Sequence, residues 1–178
     1  MSETVLFIGD SLIAYHDWQQ SFPQLDCRDH GVPGATMAEL HDSLPAIFSR
    51  QRQEPRGIVV MIGTNNLLQG DFSLLATFPQ LLSDLKALAP QAKIIITSLP
   101  PLAAPWLAAD ATARLNRGIR EICEAAGGVF IDLHQPFAAA DGDELFLEDG
   151  VHLSPDGYRL WCQVLAPELA RLTGQEER

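Results

Sequence analysis

Cysteine is scarce in this chain, and its three copies form no pattern. Cys27, Cys123 and Cys162 stand far apart, are odd in number and include no C-x-x-C, which argues against a disulfide framework and a zinc knuckle. Cys123 and Cys162 fall on apolar helix positions and read as core residues. Positive charge is scarce too: 12 Lys and Arg stand against 23 Asp and Glu, a formal net charge of −11. Phosphate-backbone binding needs clustered basic residues, so nucleic acid is not an expected partner. No apolar run is long enough to span a bilayer. The start, Met1-Ser2-Glu3-Thr4, has neither the basic residues nor the apolar core of a signal peptide. The expected location is the cytoplasm. Repeats, low-complexity tracts and linkers are missing as well, and 178 residues suit one domain, expected over 1–178.

What the chain does have is buried-strand sequence alternating with amphipathic helix. Val5 to Ile8, Gly57 to Ile62, Lys93 to Thr97 and Val129 to Asp132 are short apolar runs rich in β-branched residues, the pattern of strands covered on both faces. Leu25 to Asp29 is expected to be a short second strand, and Asp29 to Thr36, with two glycines and a proline, a loop. Thr36-Met37-Ala38-Glu39 reads as a capping box opening a helix. Leu74 to Leu88 has helical spacing, with Pro79 either a kink or the true start. Asp110 and Ser154, the latter followed by Pro155, are expected N-caps, and Gly127-Gly128 a helix stop. Leu133 to Gly150 reads as a long loop, and a polar tail follows the last helix. Such alternation predicts an α/β protein, a three-layer α/β/α sandwich around a central parallel sheet of about five strands.

In an open parallel sheet, ligands bind beyond the carboxyl ends of the strands, and chemistry-bearing residues collect there. The first strand runs through Gly9, which permits a change of direction, to Asp10 and Ser11. A serine at that point is a candidate nucleophile, although Ser after Gly-Asp is more often a cap or turn hydroxyl. Asp149-Gly150-Val151-His152 places an acid three residues before a histidine in a tight turn, where the carboxylate can meet Nδ1 and leave Nε2 as a proton acceptor. Gly63-Thr64-Asn65-Asn66 ends a neighbouring strand, where an amide can donate to a developing oxyanion. Gly34, just before a helix start, can offer its N–H to the same point. Singly these are ordinary turn residues; jointly they supply a nucleophile, oxyanion donors and a base–acid pair at one crevice. His16, His41 and His134 lack a comparable turn and read as solvated or structural.

Gly9-Asp10-Ser11-Leu12, Gly31-x-x-Gly34, Gly63-x-Asn65 and Asp149-x-x-His152 resemble the four sequence blocks of the SGNH hydrolases, also called GDSL lipases or esterases. The resemblance spans nearly the whole chain. It implies a flavodoxin-like fold, Ser11 as nucleophile, and an oxyanion hole of the Ser11 N–H, Gly34 and Asn65. It further implies His152 as base and Asp149 as its partner, leaving Asp10 to brace its turn. The implied reaction is acyl transfer on a small-molecule ester or thioester, with no metal and no organic cofactor. Asn66 stands where many members have Asp, which is similar to the platelet-activating-factor acetylhydrolase-like branch. Asp29-His30 stands where Asn-Arg is frequent, so His30 is either a lining residue or a loop hydrogen-bonder.

Leu67, Leu68, Trp106, Phe146 and Leu147 fall on loops expected to rim the crevice and bind an acyl chain, or else to pack back onto the core. Short loops predict an open, shallow site and short to medium acyl groups, as in a lysophospholipase, acetylesterase or thioesterase. Rival readings lack their residues. Leu12-Ile13-Ala14 is no flavin phosphate loop, Gly63 to Asn66 holds no carboxylate for a phospho-receiver, and no G-x-S-x-G elbow is present. The alternative from another class is a catalytically idle domain of the same family that binds carbohydrate or a partner protein. Oligomeric state has no signature in the sequence.

Overall fold

Five parallel strands form one sheet: β1 (Thr4–Gly9), β2 (Asp26–Gly31), β3 (Gly57–Met61), β4 (Lys93–Thr97) and β5 (Val129–Ile131), in the spatial order β2-β1-β3-β4-β5. The computed structural model describes residues 2–102, 104–140 and 142–174. Val5 to Ile8 and Ile58 to Met61 are fully buried, so β1 and β3 are covered on both faces, as their unbroken apolar sequence requires. Three helices, α3 (Met37–Ser49), α5 (Leu74–Leu88) and α6 (Ala111–Ala125), pack side by side in the β2-to-β5 crossovers. The other layer holds α8 (Pro155–Leu172) with the short α1 (Ser11–Ala14) and α2 (Trp18–Ser21). There Trp161 of α8 meets Trp18 edge-on at 5.0 Å, and Tyr158 stacks on His16 at 4.5 Å. The chain steps from β1 to β2 in one direction and from β2 to β5 in the other. Right-handed crossovers therefore put the two helix groups on opposite faces.

This strand order reverses at β1, which makes the carboxyl ends of β1 and β3 the binding crevice. Register brings the segments together there: Gly9 pairs with Gly31 of β2 and with Met61 of β3. Residues 10–11, 32–36 and 62–66 thus emerge side by side.

The structure departs from the sequence reading at several points. β2 runs on through Asp29-His30-Gly31, residues expected in a loop. It is an edge strand, half-exposed and polar, with Arg28 paired to Asp26 at 2.8 Å. Charged side chains are how edge strands avoid pairing with other molecules. The Gly63 turn leads straight into α4 (Thr64–Leu68), and the expected loop 133–150 contains α7 (His134–Ala139) and a 3-10 turn at Gly142–Leu145. Pro79 lies inside α5. Asp110 holds the N-cap position of α6 without a side-chain cap bond, pairing instead with Arg114 at 3.6 Å. Thr36 and Glu39 form the capping box, and Ser154 caps α8 through the Gly157 N–H. Cys123 is buried, but Cys162 is only half-buried. Its sulfur lies 3.5 Å from His16 Nε2. From residue 175 onward the polar tail lies outside the described residues.

Candidate active site

β1 delivers Ser11 through a tight passage. A Cβ on Gly9 would sit 2.0 Å from the Met61 carbonyl oxygen, so glycine is required there by close approach to β3. Asp10 then caps α1, accepting the Leu12 N–H at 3.0 Å, and Ser11 opens the helix with 5% exposure. Asp10 is fully buried, and burial pushes its carboxyl up to about 6, partly offset by the Leu12 N–H and by Thr64. Its Oδ2 is buried and has no hydrogen-bond partner among the described residues.

A stability signature follows from that carboxyl. The folded protein holds the Asp10 proton more tightly than the unfolded chain, whose value is 3.8. Stability therefore falls as pH climbs from about 4 through 6. Asp10→Asn keeps an acceptor for the Leu12 N–H and removes the buried charge. It is expected to be more stable than the parent by about 3 kcal/mol at pH 8, with the gain vanishing near pH 4. Urea unfolding at the two pH values measures this, and a pH-independent difference contradicts it.

Asp149, Gly150, Val151 and His152 fold into the expected tight turn. Asp149 Oδ1 accepts the N–H groups of Val151 and His152, both at 2.9 Å. Its Oδ2 lies 2.6 Å from His152 Nδ1. The bond to His152, ahead of the two backbone N–H bonds, brings the Asp149 carboxyl down to about 2. An ionised carboxylate cannot donate, so the proton of this pair sits on Nδ1 and the Nε2 lone pair faces outward. Nε2 lies 3.0 Å from Ser11 Oγ. The turn is itself held from behind: the Leu147 N–H donates to the His152 carbonyl at 2.8 Å, and Phe146 bridges to Leu153. Ser154, two residues later, caps α8.

The other two loops close around the serine. Gly34 is exposed, with φ +82° and nothing within 4 Å of where a Cβ would be. Glycine is needed there for its left-handed backbone, not for space. Among the described residues neither the Ser11 nor the Gly34 N–H has a protein acceptor. Asn65 donates one amide hydrogen to the Ala35 carbonyl at 2.9 Å, which leaves the second hydrogen unused by that bond. The structure thus brings Ser11, His152 and Asp149 into one hydrogen-bonded string, with Asn65 bonded to the residue after Gly34.

The expected rim is only partly there. Leu67 has 0% exposure and belongs to the core, because α4 turns it inward one helical turn after Gly63. Phe146 is half-buried against Phe137, ring centroids 5.8 Å apart. Leu68 is half-buried, and its carbonyl accepts the indole N–H of Trp106, a side chain 72% exposed. Leu147, 51% exposed, stands beside His152. Tyr15 escaped the sequence reading: 58% exposed, its ring is 5.4 Å from that of His152. Its position four residues after Ser11, one helical turn, was the available signal. His30 lies on β2 beside Gln51, 3.2 Å away, and takes no part in the string.

The class that this fold and site define is the carboxylic ester hydrolases. Residues 7–160 match the profile of the GDSL-like lipase/acylhydrolase family, and the chain belongs to that family. Solved structures agree in fold. A Streptococcus pneumonia protein provisionally described as a platelet activating factor is 21% identical, with TM-score 0.85 over 95% of this chain and 85% of its own. A lipase/acylhydrolase from Enterococcus faecalis is 20% identical, with TM-score 0.79 over 94% of this chain and 95% of its own. A mutant of Axe2, an acetyl-xylooligosaccharide esterase from Geobacillus Stearmophilus, is 19% identical, with TM-score 0.75 over 98% and 95%. Among curated proteins no significant match to the sequence is found.

Proposed function

We propose that this protein is a serine esterase that works through an acyl-enzyme, with Ser11 as nucleophile, His152 as general base and Asp149 as the group that orients and steadies it. The observation that carries this reading is the unbroken string Ser11 Oγ to His152 Nε2 at 3.0 Å and His152 Nδ1 to Asp149 Oδ2 at 2.6 Å. His152 takes the Ser11 proton as Oγ attacks the ester carbonyl. Ser11 N–H, Gly34 N–H and the second Asn65 amide hydrogen then receive the oxyanion, each such donor being worth about 3–4 kcal/mol to the transition state. The imidazolium returns its proton to the leaving alcohol or thiol, and water repeats the sequence on the acyl-enzyme. Asp149, held ionised by its hydrogen bonds, stabilises the imidazolium throughout.

The acyl group in this reading is short to medium, as for an acetylesterase, lysophospholipase or thioesterase. Tyr15 and Leu147 flank His152, and Val32, also exposed, lies two residues before Gly34. Single apolar side chains at the rim favour a small acyl group over a long chain, which needs a deep apolar channel to bury it. The likeness to an acetyl-xylooligosaccharide esterase is in keeping with the short end of that range. A p-nitrophenyl ester series from acetyl to palmitoyl tests it. The expected kcat/KM maximum lies between acetyl and octanoyl, and a maximum at palmitoyl overturns the acyl assignment.

A further inference from the structure

We infer that Asn66 is a positioning residue for the oxyanion site: together with Asn65 it clamps the loop that carries Gly34, and Asp71 holds its amide in the orientation that does so. This rests on the roles proposed above for Ser11, Gly34 and Asn65. The loop from β2 to α3 is tied at its start by the Val32 N–H on the Gly9 carbonyl at 2.9 Å. At its far end two consecutive amides grip it. Asn65 donates to the Ala35 carbonyl at 2.9 Å, and Asn66 Oδ1 accepts the Met37 N–H, also at 2.9 Å. Gly34 lies between these ties, in a turn closed by the Ala35 N–H on the Val32 carbonyl at 3.0 Å, and the clamp sets where that turn sits against Ser11. Met37 is the first residue of α3, and its N–H has no acceptor within the helix. Asn66, almost fully buried, supplies one.

Asp71 decides which way the Asn66 amide points. Its Oδ2 accepts Asn66 Nδ2 at 2.8 Å, its Oδ1 accepts the Ser73 N–H and hydroxyl, and its own N–H donates to the Asn66 carbonyl at 2.8 Å. A carboxylate offers no hydrogen, so the NH2 of Asn66 must face it and Oδ1 must face Met37. A carboxylate at position 66 would still accept from Met37, but it would confront Asp71 with no hydrogen between them. The identities at 66 and 71 are therefore matched: exchanging them leaves Met37 donating to residue 66 and reverses donor and acceptor only between the two side chains. His41, Glu39 and the triad lie outside this pair, which makes the exchange a local test.

Asn66→Asp is expected to lower kcat on p-nitrophenyl acetate by about 10- to 100-fold through misplacement of Gly34, with KM little changed. Asn66→Asp combined with Asp71→Asn is expected to recover most of that loss. A wild-type kcat in the single variant, or a loss that the second change fails to relieve, overturns the inference. Should the single variant not fold, Asp71→Ala carries the test: it frees the Asn66 amide to turn, and an unchanged kcat overturns the inference. Labelling of Ser11 by a fluorophosphonate in the unaltered protein is read alongside. Absence of label there removes the catalytic reading itself, whereas label with an indifferent Asn66→Asp removes only the clamp.

Discussion

Ser11→Ala is expected to lower kcat for p-nitrophenyl acetate by about a million-fold, leaving only the residual acceleration that binding and oxyanion donors provide. The size of the effect follows from what the hydroxyl does. Oγ is the atom that attacks, and its hydrogen-bond partner among the described residues is His152. Losing it removes the covalent route while the backbone donors remain. The fold has little at stake: the close passage at Gly9 and the cap made by the Asp10 side chain do not use the Ser11 hydroxyl, and alanine is a better helix former than serine. Initial rates, with circular dichroism to check that the fold is kept, read out the prediction. Turnover near that of the parent removes Ser11 from the role of nucleophile.

Asp149→Asn is expected to cost about ten-thousand-fold in kcat with little change in KM. The argument is one of tautomers. Oδ1 accepts two backbone N–H groups, so the carbonyl oxygen of an asparagine is retained on that side and its NH2 is turned toward His152 Nδ1. Nδ1 must then accept, the ring proton moves to Nε2, and Nε2 presents a hydrogen to Ser11 instead of a lone pair. The serine loses its base although every heavy atom stays in place. In the parent Asp149 stays ionised across the working range, its carboxyl being held down at about 2. Loss of activity on mild acidification therefore does not report protonation of Asp149. Steady-state kinetics of the variant supply the check, and a loss of less than about tenfold contradicts the orienting role.

Much of this site was legible because its parts are local. Asp149 and His152 meet through a turn of four residues, and Ser11 follows directly from a strand whose unbroken apolar sequence marks it as central. β2 was harder to bound. As an edge strand its Asp-Cys-Arg-Asp-His-Gly sequence carries no apolar period, and only pairing with β1 shows that Asp29 to Gly31 continue it. α4 was hidden because Gly63 to Asn66 reads equally as a turn and as a helix start. With it went the inward position of Leu67, which was expected at the rim. The partners of Asn66 could not be read at all. Met37 lies 29 residues away in sequence, and nothing local to either residue announces the bond. Tyr15 depended on knowing that Ser11 begins a helix.

The most direct test of the central claim is active-site labelling with a fluorophosphonate followed by peptide mapping. One equivalent of phosphonate on Ser11, formed rapidly in the parent and greatly slowed by His152→Ala, is the predicted result. Label on another serine, or a rate on Ser11 indifferent to His152, would contradict it.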